Sequence, residues 1–349
     1  MTADGLHIDL RTGTFRPADP ADLMTLQAPV QWDEDARAPR WEQALVEWFP
    51  DEEVRAYVKR VAGSALVGAQ RDHVFVIHCG GGRNGKGTFC RALQRTLGSY
   101  AAVIHLSLLV EQRYSHHDTV KADLFRARLA VASETQRRVK LDEASVKNLT
   151  GGDRVTARRM REDPWEFDPT HSLWLQTNHL PEIGGRDRGI WSRIRVVKWV
   201  ATFEDKDQDQ TLDETLAAEA PGIMRWMVEG CLEWQREGLA EPEQVIRETL
   251  AYRQAEDTFS RFADDTGLVF SRNLEIQAGE LQELLVEWAQ AEGLEPPAKE
   301  LGCWLRENGV RQARRRFTDP SGNRRQARFW LGVGIEDENH TTAQADVLA

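Results

Sequence analysis

No apolar run in this 349-residue chain approaches the roughly 20 residues of a membrane-spanning helix, so no membrane partner is expected. Cysteine is scarce. Cys79, Cys90, Cys231 and Cys303 stand alone, without the spacing of a metal site, and fit reduced thiols in a cytosolic protein. The start, Met1-Thr2-Ala3-Asp4-Gly5, has neither a basic segment nor an apolar core, so it does not read as a signal peptide. Positive charge is in deficit: 45 Lys and Arg stand against 56 Asp and Glu, a formal charge of −11. That balance argues against coating nucleic acid non-specifically and leaves binding to local patches. Internal repeats are lacking. With 41% hydrophobic and 29% charged residues, the composition is that of a globular protein long enough for two or three domains. Its twelve tryptophans are expected in core or interface packing.

Glycine, by contrast, is concentrated where it carries chemistry. The run Gly80-Gly81-Gly82-Arg83-Asn84-Gly85-Lys86-Gly87-Thr88 follows an apolar stretch, His73 to Cys79, and precedes a helix-compatible one, Phe89 to Leu97. Strand, glycine loop, lysine and helix in that order make a phosphate-binding P-loop. Glycines let successive N–H groups curl round a polyphosphate, and the helix N-terminus adds partial positive charge. Gly80, Gly82, Asn84, Gly85, Lys86, Gly87 and Thr88 are therefore the expected ATP-binding residues, with Lys86 on the outer phosphates. Because Gly87 stands where Ser or Thr usually follows the lysine, the hydroxyl that reaches Mg²⁺ must come from Thr88, or through water.

Residues 1–72 read as a lead-in with a short hairpin at His7–Phe15 and two amphipathic helices. Residues 73–255 alternate strands and helices in the manner of an α/β nucleotide-binding core, ending in helices. Residues 256–335 read as a separate small domain, and 336–349 as a polar, disordered tail.

Within the core, the strand Arg128 to Ser133 ends in Glu134, placed to hold Mg²⁺, orient water, or both. The strand Ser172 to Thr177 ends in Asn178, whose amide can sense the γ-phosphate. Between them, Arg154, Arg158, Arg159 and Arg161 with Trp165 fall on a short hairpin suited to phosphate contact and base stacking. Arg193 and Arg195 share one face of a later strand, and either could act on a neighbour's ATP site. In the last domain, helices at 278–291 and 297–307 precede two strands, 310–317 and 326–331, around the turn Thr318–Asn323, which fits a winged helix. Its wing is strongly basic, with Arg315, Arg324, Arg325 and Arg328 the expected DNA contacts. The alternative is a basic surface docked on acidic neighbouring subunits.

Taken together, GGGRNGKGTF, RLAVASE, LTGGDRVTARRM, LWLQTNHLP and GIWSRIRVV resemble, in order and spacing, the superfamily 3 helicase domain of phage and plasmid primases and the poxvirus helicase–primase. IDLRTGTFRPADPADL and APRWEQALVEWFP resemble the helical region that precedes it, so the likeness spans residues 5–255. The resemblance implies an AAA+-like ATPase forming a hexameric ring round one DNA strand and usually moving 3′ to 5′. It implies Lys86 and Thr88 as the P-loop pair, Glu134 as the metal-site acid, Asn178 as sensor and Arg193 as the arginine finger. Lys147 opens the KNLTGGD segment, whose hairpin arginines would face the channel. Ser192 stands where a basic residue usually flanks the finger, which leaves Arg195 open. The residues before the ATPase are too few for the polymerising domain that often precedes it, so primer synthesis is not expected and a separate primase could be a partner. The expected function is an ATP- and Mg²⁺-dependent replicative helicase of a phage or mobile element, acting on single-stranded and forked DNA in a bacterial cytoplasm. Two alternatives stay open: an origin-binding initiator ATPase, and a P-loop nucleotide kinase.

Overall fold

A computed structural model describes residues 1–3, 5–69, 71–111, 119–134, 139–184, 188–204, 206, 208–294, 296, 298, 300–318 and 324–335. The chain divides into two compact units, Met1–Arg253 and Gln254–Ala349.

The first unit opens with a small antiparallel sheet, β1 (Thr2–Ala3), β2 (Leu6–Ile8) and β3 (Phe15–Pro17). The β2–β3 connection is closed by Asp9, whose carbonyl accepts the Gly13 N–H at 2.8 Å. Two helices follow. In α1 (Pro39–Trp48) proline occupies the first turn, and Trp41, Ala44, Leu45 and Trp48 bury one face. In α2 (Glu52–Ala65) Asp51 caps the N-terminus by accepting the Glu53 N–H at 2.8 Å.

Then come β4 (Phe75–Cys79), α3 (Lys86–Leu97), β5 (Ala101–Val103), β6 (Leu129–Glu134), α4 (Glu143–Gly151), β7 (Val155–Ala157), β8 (Trp165–Phe167), β9 (Ser172–Thr177), α5 (Arg188–Trp191) and β10 (Ile194–Lys198). Helices α6 (Leu212–Ala218), α7 (Ala220–Glu237) and α8 (Glu243–Glu256) follow. Strands β10, β4, β9, β6 and β5 lie side by side in that order, each pair parallel. Every residue of β4 is buried, as expected of a parallel strand covered on both faces.

The lead-in shares its core with this sheet. Phe89 of α3 stacks on Trp41 of α1 at 5.4 Å and on Trp174 of β9 at 6.2 Å. Trp48 and Trp199 meet the same ring edge-on, at 6.0 and 5.5 Å. Each such pair adds about 0.5–1.5 kcal/mol beyond burial, so α1 is fastened to the back of the glycine loop. Helices α2 and α7 cross closely at glycines: a Cβ on Gly63 would fall 2.1 Å from Cys231 N, and one on Gly230 would fall 2.2 Å from Lys59 O.

The second unit runs α9 (Thr258–Thr266), β11 (Leu268–Gln277), α10 (Ala278–Ala291), α11 (Leu301–Glu307), β12 (Arg311–Thr318) and β13 (Arg324–Ile335). Its antiparallel sheet has the order β11-β13-β12, and Phe259, Phe262, Leu281, Leu285, Trp304, Leu305 and Trp330 form its core. Helix α10 falls where the apolar spacing puts it, whereas the long strand β11 has no alternating pattern to announce it. Residues 319–323 of the expected turn and the tail from 336 lie outside the described residues. Among the described residues no helix is long and apolar enough to cross a membrane.

Candidate nucleotide site and nucleic-acid interface

The glycine loop leaves β4 at Cys79 and ends at Gly85, whose φ of +88° only glycine adopts freely. A Cβ there would fall 2.1 Å from the Trp48 indole nitrogen, and one on Gly80 would strike Trp199 and Asn84. Gly81 and Gly82 differ. A Cβ on either would meet no protein atom within 4 Å, so the packing of the chain does not demand glycine there. Space in front of backbone N–H groups is what a polyphosphate requires, and these positions fit one.

Lys86 opens α3 and is buried. Its Nζ donates to Gly80 O at 2.5 Å, Gly81 O at 3.0 Å, Asn84 Oδ1 at 3.2 Å and Asn178 Oδ1 at 3.3 Å. Burial holds its pKa below the usual lysine value. Asn178 thus reaches Lys86 directly. Strand β9 lies between β4 and β6, with Thr177 level with both Cys79 and Glu134. This order brings Lys86, Thr88, Glu134 and Asn178 to the rim of one cavity of about 340 Å³, with Ser133 and Gln176 beside them.

The metal ligands fit in kind. Thr88 and Glu134 offer two oxygens, the few that Mg²⁺ takes from protein when phosphates and water supply the rest. Among the described residues no cluster of three or more His, Cys, Asp or Glu could hold a metal unaided. One neighbour escaped the sequence. Arg91, one turn along α3, donates to Thr88 Oγ1 at 3.0 Å and pairs with Asp213 at 2.9 Å. A second cavity, about 200 Å³, adjoins Gly85 and Thr88 and is lined by Arg40, Glu47, Trp48, Phe203, Asp209 and Leu212. Its walls come from α1 and the segment before α6, too far apart in sequence to read as one site.

Arg193 is placed elsewhere. It precedes β10, and Ile194 pairs with Phe75 while Lys198 pairs with Cys79. Arg193 and the glycine loop therefore lie at opposite ends of the neighbouring strands β10 and β4, ~16 Å apart at ~3.3 Å per residue. Its Nη1 donates to Gly189 O at 2.7 Å and its Nε to Thr150 Oγ1 at 3.1 Å; among the described residues no carboxylate pairs with it. Arg195 differs, because its Nε is bound by Glu241 and its Nη1 by the carbonyls of Ser192 and Ile194.

The arginine hairpin is β7–β8, rooted by Val155, Ala157 and Phe167 and by Trp165 edge-on to Phe125 at 4.6 Å. Arg158, Arg159 and Arg161 are exposed at its tip, together with Met160. Arg154 sits at the root, paired with Glu166 at 3.3 Å and Asp168 at 3.5 Å, and Lys147 lies half-buried on α4.

In the second unit β12 and β13 pair with Arg314 opposite Arg328, Arg316 opposite Gln326 and Gln312 opposite Trp330. These six share one face, beside a cavity of about 560 Å³ lined by Arg306, Gln282 and Arg328. Arg315 points to the other face and pairs with Glu275 at 2.5 Å. Arg324 and Arg325 fall on β13.

Strand, glycine loop, buried lysine and an acid two strands away in a parallel sheet define a mixed α/β core compatible with a P-loop nucleotide-binding protein. Residues 2–50 match the family model "D5 N terminal like", and residues 78–193 match a family of unknown function, DUF5906. A protein of Acanthamoeba polyphaga mimivirus named "Putative helicase" is 27% identical over 320 residues, covering 84% of this chain and 33% of its own length. "Putative helicase 184R" of Invertebrate iridescent virus 6 is 30% identical over 224 residues, 59% of this chain and 22% of its own. A protein of African swine fever virus named "Putative primase" is 23% identical over 239 residues, 63% and 25% of the two chains. The chain thus spans about a fifth to a third of the length of these relatives. Among solved structures, the apo C-terminal region of NrS-1 is similar in fold, with a TM-score of 0.50 at 13% identity, over 92% of this chain and 81% of that one. With its D5 N-terminal-like segment and these homologues, the chain is a relative of the D5-like viral helicase–primases, in agreement with the superfamily 3 resemblance.

Proposed function

We propose that this chain is the motor of a replicative DNA helicase from a phage or another mobile element, hydrolysing ATP in the host cytoplasm. The observation that carries this is the division of the site. Lys86, Glu134 and Asn178 surround one cavity, while Arg193, which pairs with no carboxylate among the described residues, lies at the opposite, N-terminal end of the strands. Arg193 cannot reach the phosphates of its own subunit. It completes a site only on a second copy, which supports a closed ring, a hexamer by resemblance, around a single DNA strand and moving 3′ to 5′.

Lys86 would exchange its loop carbonyls for the outer phosphates, and the N–H groups of Gly80–Thr88 would cradle them. Glu134 and Thr88 would hold Mg²⁺, which would supply charge neutralisation at those phosphates. Asn178, bonded to Lys86, would orient the attacking water, and the base would lie against Trp48 and Phe203 in the adjoining cavity. The hairpin arginines would hold the translocating strand. The second unit, read as a winged helix, would hold duplex on the face of Arg314, Arg316 and Arg328. Relatives named as helicases and primases support a replication role, with primer synthesis left to a partner.

ATP hydrolysis with and without single-stranded DNA tests this. The expected result is a DNA-stimulated rate that Lys86→Ala abolishes. Hydrolysis indifferent to DNA, or phosphoryl transfer to a nucleotide acceptor, would favour the kinase alternative.

A further inference from the structure

One fully buried residue joins three working parts of the ATPase. Thr150 lies in the last turn of α4, whose C-cap is Gly152 with φ +84°, and β7 of the arginine hairpin begins at Val155. Its hydroxyl donates to Val146 O at 2.7 Å, which leaves an oxygen lone pair for the Arg193 Nε–H at 3.1 Å. Its carbonyl meets His73 Nδ1 at 2.7 Å, so that nitrogen carries the proton. His73 holds a φ of +53°, a region unfavourable to non-glycine residues, two positions before the strand that leads into the glycine loop.

The consequence for Arg193 is geometric. With Nε tied to Thr150 and Nη1 to Gly189 O, the plane of the guanidinium is fixed, and Nη2 has no acceptor among the described residues. One anchor, Gly189, belongs to α5; the other belongs to the helix that delivers the hairpin. A shift of the hairpin base therefore moves one of the two points that aim the arginine.

We propose that Thr150 is a positioning residue that aims Arg193 and links its aim to the hairpin, so that DNA seated on the hairpin arginines sets the hydrolysis rate at the neighbouring subunit. The proposal rests on Arg193 acting across a subunit interface. Sequence alone offers Thr150 only as a helix-end threonine; its three contacts lie four, 43 and 77 residues away.

The test uses the full chain carrying Thr150→Val, which keeps the shape and removes the hydroxyl, with Thr150→Ser as rescue and Thr150→Ala as a second hydroxyl-free variant should the valine protein not fold. Steady-state ATP hydrolysis is measured with and without single-stranded DNA, and nucleotide affinity with a fluorescent ATP analogue. Thr150→Val should lose about tenfold to a hundredfold in DNA-stimulated kcat, the scale of a misaimed group, with affinity within about twofold of wild type. Thr150→Ser should recover most of the rate. Wild-type kcat in Thr150→Val, or a serine variant as slow as the valine one, would overturn the proposal. Arg193→Ala in the same assay separates the two levels. If it hydrolyses normally, the finger assignment itself falls; if it is inactive while Thr150→Val is unimpaired, only the role of Thr150 falls.

Discussion

Lowering the pH from 7 to 5 should cost the first unit about 4 kcal/mol of stability, shared equally by two buried histidines. His78 stands on β4, one residue before the end of the strand, its ring 4.8 Å from Trp174 and 5.7 Å from Phe89. Its Nδ1 accepts the Trp199 indole N–H at 3.2 Å. Burial, reinforced by the charge of Lys86, pushes its pKa from 6.5 down to about 3. Burial also pushes His171, just before β9, from 6.5 to about 4, a backbone contact with Leu149 opposing it. Both folded-state values lie below the unfolded one. Below pH 6.5 the unfolded chain gains protons that the folded chain refuses until about pH 4 or 3, so stability present above 6.5 drains away as pH falls. At 1.36 kcal/mol per pKa unit, each histidine contributes about 2 kcal/mol between pH 7 and 5. Carboxylates with lowered pKa, such as Asp22 and Asp209, act only below this window, because their stability is lost as pH falls from about 4. Asp72, raised by burial, works the other way and trims the loss. Urea unfolding followed by tryptophan fluorescence at pH 7, 6 and 5 measures the effect, and His78→Gln should remove about half of it. Equal stability at pH 7 and 5, or an undiminished loss in a His78→Gln, His171→Gln double variant, would refute the linkage.

Gly85→Ala, which combines a positive φ with a clash on Trp48, should cost about 2–4 kcal/mol by denaturant unfolding. Gly81→Ala, with open space at its Cβ, should leave stability near wild type yet weaken ATP binding in a fluorescence titration. Replacing Arg158 and Arg159 with Ala should leave ATP hydrolysis running while little duplex is separated in a paired ATPase and strand-displacement assay. Arg314→Ala with Arg328→Ala should lower the slope of log binding against log salt by about 2. Arg315→Ala, tied to Glu275 on the other face, should change that slope less.

The local geometry of the glycine loop was legible because each of its needs is local: a turn without Cβ atoms, a lysine and a helix start, all within nine residues. The ends of β6 and β9 were legible for the same reason, since an apolar run closing on Glu134 or Asn178 names its own terminus. The pairing of Arg195 was not, because its partner Glu241 lies 46 residues beyond it. The adjoining cavity needed Trp48 and Phe203, 155 residues apart in the chain, brought together. Strand β11 hid behind Ser271, Arg272 and Asn273 at its centre, where its register against β13 shifts between Phe270 and Glu275. The arginines of β12 and β13 were legible as a concentration of charge, but pairing alone shows that Arg314 and Arg328 share a face and that Arg315 does not. Like charges directly opposite are unfavourable, so that face holds a cost that a bound polyanion would relieve.

Displacement of a labelled strand from a forked duplex is the most direct test of the central claim. Wild-type chain with ATP and Mg²⁺ should separate the fork, faster with a 3′ than a 5′ single-stranded arm, and Lys86→Ala should not. DNA-stimulated ATP hydrolysis without any strand displacement would contradict the helicase assignment and leave an ATPase that only assembles on DNA.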